Sequence, residues 1–298
     1  MRTVSISRLA LFAVVLAGVL AAVTGARAQA GLRERTVFVS AVDSRRNPVE
    51  GLGPADFTVT EDGRRREVLR VTPALEPIDI ALLIDTSAAA TRMIAPTREA
   101  VRAFVAQMAV GNQIAIIGLA DRPTILTDFT SNPERLEQGV GRLFAMSGSG
   151  MTLLDSIVDV ANGLRKRDAP RAVIVPVITT GAEFTNRYAR DVTAAIRGSG
   201  GALHAIVIGN LTMGTTEERE RALSIEQGSR ESGGQHVTLL AETAVEQALQ
   251  KLARELVSQY KVVYGRPESL IPPDKIVVTA ARAGVTMRGT PARGQPGT

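Results

Sequence analysis

The sequence has no cysteine and no tryptophan, and it has few histidines or aromatic residues. Its 298 residues include two histidines, and aromatic residues make up 3%. The absence of cysteine excludes disulfide bonds, a thiolate zinc site, a cysteine nucleophile and a lipid on an N-terminal cysteine. Two histidines leave little imidazole for metal or base chemistry. Few aromatic rings leave few platforms for single-stranded nucleic acid, so we expect no nucleic-acid partner.

Apolar residues, in contrast, are abundant. Hydrophobic residues make up 45% of the chain and charged residues 22%, a composition typical of a globular protein with a large core. The length fits one or two domains. The formal net charge is +5, from 35 basic and 30 acidic residues. Whether this charge indicates a polyanionic partner depends on where it lies.

The N-terminus has the layout of a secretory signal. Arg2 and Arg8 precede an apolar run over residues 9–23, and the small-residue pattern at 26–30 predicts cleavage after Ala28 or Ala30. The alternative is an uncleaved N-terminal anchor. Because residues 1–30 hold three arginines and no acid, their removal lowers the net charge from +5 to +2. We expect a secreted or periplasmic protein with no integral membrane span after removal of the signal.

The mature chain changes its pattern at residue 77. Residues 31–76 alternate short β-branched runs with turns, and Asp62-Gly63 predicts a tight hairpin, so we expect a small N-terminal β unit. From 77 to 264, continuous apolar runs alternate with helical patterns, which favours an α/β fold: a doubly wound, mostly parallel sheet with helices on both faces. Residues 265–298 are predicted to be a linker, C-terminal strands and a loose tail.

In such a sheet, ligands bind beyond the carboxyl ends of the strands. The residues that follow the predicted strands are therefore the candidate site, and three segments qualify. They are Asp85 to Ala89, Ser147 to Thr152, and Thr179 to Glu183.

Several short motifs together resemble one family. Asp85-Thr86-Ser87 at the end of a buried strand, the helix opening at 153–157 and the strand at 201–209 resemble the von Willebrand factor A domain over about residues 78–264. Segments ahead of this region and at 260–264 resemble the bacterial secreted "VWFA-related" subfamily. The resemblance implies a Rossmann-like fold and a metal-ion-dependent adhesion site. That site is built from Asp-x-Ser-x-Ser in the first loop, a Thr in the second and an Asp in the third.

This chain departs from that ligand set in all three loops. Ala89 stands where the second Ser belongs, Met151 aligns with the Thr, and Thr180 replaces the acid. Alanine and methionine supply no hard oxygen for Mg²⁺. We therefore expect a degenerate site that keeps Asp85 and Ser87 as its metal positions and needs no cofactor, with weak Mg²⁺ or Mn²⁺ binding as the alternative.

The same loops supply the candidate binding residues. These are Asp85, Ser87, Thr152, Thr180 and Glu183. Thr152 and Thr180 could restore part of an oxygen shell, and Glu183 could lend charge. The structural alternative for Asp85 is that its carboxylate accepts backbone N–H bonds in the turn that follows.

The expected function is an exported protein–protein interaction module of adhesion or scaffold type, and not an enzyme. A protein partner of unknown identity would bind the loops at the carboxyl ends of the strands. Arg92, Arg122 and Arg187 are candidates to donate hydrogen bonds to carboxylates of that partner. A structural or assembly component of an envelope complex is the alternative, and a metal-dependent binder with a retained Mg²⁺ site is a third reading. Catalysis would require Asp85, Ser87 and His204 to converge.

Overall fold

The computed structural model describes residues 32–167, 169–267, 271, 273 and 275–292. The predicted signal segment at 1–30 and the end of the predicted tail, 293–298, lie outside the described residues. Within the described part of the chain, no helix combines the length and the apolar character needed to cross a membrane.

The described chain forms strands and helices in the alternation that the sequence predicts. The strands are β1 (Leu32–Val42), β2 (Phe57–Glu61), β3 (Arg64–Arg66), β4 (Val68–Pro73), β5 (Ile78–Asp85), β6 (Gln113–Leu119), β7 (Pro123–Thr130), β8 (Arg171–Ile178), β9 (Gly201–Ile208), β10 (Gln235–Leu239), β11 (Tyr260–Pro267), β12 (Ile276–Ala280) and β13 (Thr286–Pro291). The helices are α1 (Ile94–Met108), α2 (Pro133–Gly141), α3 (Leu153–Arg167), α4 (Ala189–Ser199), α5 (Thr216–Glu231) and α6 (Val245–Val257).

Six strands form a central sheet in the order β10-β9-β8-β5-β6-β7. All neighbours are parallel except β7, which runs antiparallel at one edge. Every residue of β5 and β8 is buried, because α1 and α6 pack on one face and α3 and α4 on the other. The predicted doubly wound α/β fold with a mostly parallel sheet is confirmed.

The remaining strands form two smaller antiparallel sheets that share a core. Their orders are β13-β1-β11-β4 and β12-β2-β3. Asp62 and Gly63 form the predicted hairpin between β2 and β3, with φ of 48° and 78°. Because β1 pairs with both β11 and β13, N-terminal and C-terminal strands lie in one sheet. The expected domain boundary at 264 remains a prediction, and it falls inside β11.

A buried arginine connects these outer sheets to the amino edge of the central sheet, where its parallel strands begin. The Arg171 guanidinium donates to the carbonyls of Ala74, Glu76 and Leu256 and to Gln259 Oε1. Burial lowers its pKa to about 10. The outer sheets are thereby attached at the amino edge, and the loops discussed below lie at the opposite, carboxyl edge.

Candidate functional site

Three loops meet where the strand order reverses. The chain passes from β5 to β6 on one side and later places β8 on the other side of β5, so the loops after β5 and β8 diverge from a common point. We call residues 86–93 the first loop, 142–152 the second loop and 179–188 the third loop. Backbone bonds join them, from Ala88 N to Ser149 O at 3.1 Å and from Met151 N to Ala182 O at 2.9 Å. The three predicted segments therefore come together.

Asp85 connects the first loop to the third. Its Oδ1 accepts a bond from the Ser87 amide at 2.9 Å. Its Oδ2 accepts bonds from the Thr179 amide at 2.9 Å and from Thr179 Oγ1 at 2.5 Å. Both carboxylate oxygens are thus engaged by protein donors, as in the structural alternative that the sequence left open.

Ser87 and Ala89 lie against the third loop. Ser87 is buried, and its Oγ has no hydrogen-bond partner among the described residues. A Cβ added at Gly181 would lie 2.7 Å from the Cβ of Ala89 and 3.5 Å from Ser87 Oγ. The first and third loops therefore approach closely, and this contact requires both a glycine and a small residue.

In the second loop, the two candidate residues both point into the protein. The Met151 side chain is wholly buried in the apolar core under the loops. Thr152 is also buried, and its Oγ1 donates to Ala120 O at 3.0 Å. Its hydroxyl hydrogen is thus used in holding the second loop to the end of β6.

Glu183 is a buried residue of the third loop, and it lies near an arginine that the sequence does not identify as part of the site. Its Oε1 accepts a bond from the Leu154 amide at 3.3 Å, and its Oε2 has no described partner. Burial raises its pKa to about 8, so the carboxyl is mainly protonated at neutral pH. The nearby Arg221 is fully buried and donates to Gly181 O at 2.5 Å, while its Nε and Nη2 lack described partners.

The remaining residues predicted for the site lie elsewhere on the carboxyl edge or away from it. Thr180 is half-buried beside Gly209. Arg187 donates to Asp155 Oδ1 at 2.7 Å.

Arg92 and Arg122 are exposed at the carboxyl edge. His204 does not join Asp85 and Ser87, since it is buried near Glu255 and Arg288 towards the amino edge, and burial lowers its pKa to about 4.

These residues differ from the ligand set of a divalent cation site of the family type. Mg²⁺ prefers six oxygen ligands and compensating negative charge. Here the Asp85 oxygens accept three protein hydrogen bonds, and Met151 is apolar and wholly buried. Within the described ranges, no group of three or more His, Asp or Glu side chains is placed to hold a metal ion.

Exposed apolar side chains concentrate at this same edge. Of the eleven large apolar residues that are exposed in the described chain, six lie in its loops, and three of those six are aromatic. The six are Phe144, Met146, Phe184, Tyr188, Met213 and Leu240. Composition gives the number of aromatic residues in the chain but not their positions in the fold. The structure shows that three of them are exposed in the loops of this edge.

The family profile agrees with this architecture. Residues 80–182, which run from within β5 through β6, β7 and β8 into the third loop, match the profile of the von Willebrand factor type A domain. This part of the chain is therefore similar to a von Willebrand factor type A domain. No curated protein sequence matches the chain.

Solved structures with this fold share little sequence with the chain. The von Willebrand factor domain of the type V pili tip protein Mfa5 from Porphyromonas gingivalis is 12% identical, with a TM-score of 0.47, covering 61% of this chain and 96% of that one. Proximal thread matrix protein 1 from the mussel byssus is 13% identical, with a TM-score of 0.50, covering 66% and 49%. A von Willebrand factor type A protein from Catenulispora acidiphila is 10% identical, with a TM-score of 0.49, covering 88% and 72%.

Of these three, the mussel protein alone reaches a TM-score of 0.50, and this chain spans about half of its length. At such low identity, the likeness concerns the fold and not the activity.

Proposed function

We propose that this protein is an exported protein–protein interaction module and not an enzyme. Its partner binds the loops at the carboxyl edge of the central sheet, and binding needs no obligate metal ion. The observation that carries the proposal is the concentration of exposed apolar side chains in these loops. Large apolar residues exposed together at one end of a domain are typical of binding surfaces, because monomeric proteins otherwise bury them.

Metal independence is supported by the way the loops are held. In this family an ion would join the three loops, and a carboxylate of the partner would complete its shell. Here Asp85 joins the first and third loops through Ser87 and Thr179, and Arg221 holds the third loop from below. In these contacts, protein hydrogen-bond donors hold the loops where the family uses an ion. The loop geometry therefore does not depend on binding and dehydrating a cation.

The proposal is tested by affinity capture from an envelope extract in EDTA. The bait is the chain without residues 1–30, as wild type and in two variants. The edge variant carries Phe144→Ser, Phe184→Ser and Met213→Ser. The control variant carries Leu75→Ser and Val110→Ser, which remove still more exposed apolar side chains near the amino edge.

We expect wild type and the control variant to retain the same partner and the edge variant to lose it. Replacing EDTA by Mg²⁺ should leave the retained amount unchanged. If the edge variant retains the partner as well as wild type does, the assignment to this edge is wrong. If retention requires Mg²⁺, metal independence is wrong.

A further inference from the structure

The second loop presents apolar side chains from a backbone that is fixed at both ends. Arg98 of α1 donates to the Leu143 carbonyl, and its guanidinium lies 4.9 Å from the centre of the Phe144 ring. At the other end, Asp121 Oδ1 accepts a bond from the Gly150 amide at 2.9 Å. Between these points Phe144 and Met146 are 62% and 54% exposed. A fixed backbone reduces the entropy lost when a partner binds its side chains.

Phe184 of the third loop extends this surface. A Cβ added at Gly150 would lie 2.2 Å from the Phe184 ring, so the ring lies directly over the glycine. The outer part of the ring remains open, because Phe184 is 56% exposed. Phe144, Met146 and Phe184 thus stand on two loops that touch.

Three exposed arginines lie in the loops that carry these side chains or in segments bonded to those loops. Arg92 precedes α1 in the first loop, Arg122 follows Asp121, and Arg142 opens the second loop. All three are exposed, and no ion pair joins any of them to another described residue. We call Phe144, Met146 and Phe184, together with these three arginines, the arginine-edged patch.

The opposite half of the carboxyl edge differs in charge. There the exposed apolar residues Met213 and Leu240 have the acidic residues Glu217 and Glu242 as neighbours in the chain. Arg187, between the two halves, is already paired with Asp155. Arg219 on that half is also exposed and has no described ion pair, but Glu217, Glu218 and Glu220 stand beside it in the chain. The excess of unpaired positive charge therefore belongs to the arginine-edged patch.

From this charge and apolar pattern we propose that the arginine-edged patch binds an acidic protein segment with a large apolar side chain between its carboxylates. This inference rests on the proposed function and specifies its partner. The apolar side chain packs among Phe144, Met146 and Phe184. The flanking carboxylates bind the arginines, whose planar guanidinium groups can donate two parallel hydrogen bonds each. The arginines stand on three different segments, the first loop, the turn after β6 and the start of the second loop. This separation favours a segment with acids on both sides over a single carboxylate.

The test is selection of a random dodecapeptide phage library on the immobilised chain without residues 1–30, in EDTA at low salt. Enriched sequences are synthesised, and their affinity is measured for wild type, for four multiple variants and for Met213→Ser. The patch variants are Arg92→Gln with Arg122→Gln and Arg142→Gln, and Phe144→Ser with Met146→Ser. The matched controls are Arg64→Gln with Arg65→Gln and Arg219→Gln, and Leu75→Ser with Val110→Ser.

We expect enriched peptides to place a large apolar residue between Asp or Glu residues. Each patch variant should weaken binding about tenfold or more, and each control should leave it unchanged. Binding should also weaken as salt is raised, since exposed charge pairs are screened.

Two results overturn the inference. If no acidic peptide is enriched, or if the enriched peptides lose affinity through Met213→Ser and not through the patch variants, the partner chemistry is wrong while the proposed function stands. If the peptides bind the outer sheets and tolerate every substitution at the carboxyl edge, the proposed function fails as well.

Discussion

Two buried arginines, one at each end of the central sheet, are bonded very differently. At the amino edge, the guanidinium of Arg171 donates to four acceptors. At the carboxyl edge, the guanidinium of Arg221 donates to the Gly181 carbonyl and leaves Nε and Nη2 without described partners. Buried donors are nearly always paired, so unpaired ones are a local cost. The amino edge attaches the outer sheets through four hydrogen bonds of one arginine, whereas the arginine at the edge that we propose binds a partner makes one described hydrogen bond.

The largest expected effect is at the amino edge. Arg171→Met should lower the free energy of unfolding by about 3–5 kcal/mol, because it leaves several buried acceptors unpaired. Arg221→Met should lower it by only about 1–2 kcal/mol, because it removes two unpaired donors together with one bond. Urea unfolding measures both values. Equal losses, or a larger loss at Arg221, would break the comparison between the two edges.

The second-largest effect on the free energy of unfolding is expected at Asp85. Asp85→Ala removes the acceptor of two backbone amides and of the Thr179 hydroxyl, so we expect a loss of about 2–3 kcal/mol. Thr179→Val should cost about 1 kcal/mol, and Thr179→Ser, which keeps the hydroxyl, should cost less. Thermal unfolding in EDTA and in Mg²⁺ should rank these variants identically. A wild type that EDTA destabilises would show that Asp85 acts through a metal.

Glu183 gives the carboxyl edge a pH dependence. Its pKa of about 8 in the folded protein exceeds its ordinary value of 4.5, so folding favours the protonated form. That stabilising contribution is complete below the unfolded pKa and is lost as pH rises through 8. From about pH 6.5 to about pH 9, wild type should therefore lose about 2 kcal/mol relative to Glu183→Gln. Urea unfolding of both proteins across this pH range measures the difference. If the free energy of unfolding changes with pH in the same way in both, the Glu183 carboxyl is not buried as described.

The smallest effect should be at the exposed apolar residues. Phe144→Ser and Met146→Ser should each change the free energy of unfolding by less than about 0.5 kcal/mol, because both side chains are largely exposed. Val110→Ser is the matched control at the amino edge. Urea unfolding at neutral pH separates the outcomes. A loss of more than about 1.5 kcal/mol in the free energy of unfolding would mean that these side chains stabilise the loop and are not available to a partner.

The central sheet could be predicted because its strands are nearly continuous apolar runs. β5 and β8 are buried along their whole length, and continuous apolar runs of that length are typical of strands buried on both faces. Helix α2 (Pro133–Gly141) was not predicted, because it is short and buries only Leu136, Gly139 and Val140. Pairing of β1 with β11 and β13 joins residues more than 200 positions apart, which local patterns do not record.

The sequence predicts which loops form the candidate site, but it does not predict most of the contacts within it. The rule that ligands bind where parallel strands end identified Asp85, Ser87 and Glu183. Arg221 was missed because it lies in α5, whose polar pattern is typical of an exposed helix, and no sequence signal distinguishes a buried arginine from a solvated one. The bond between Asp85 and Thr179 joins two loops 94 residues apart, and only the folded chain brings them together.

The most direct test of the central claim is calorimetric titration of the chain without residues 1–30 with Mn²⁺, before and after addition of a peptide selected on the arginine-edged patch. We predict no saturable heat from Mn²⁺ and an unchanged affinity for the peptide. A saturable, chelator-reversible Mn²⁺ site that the peptide requires would contradict an edge held together and used without a metal ion.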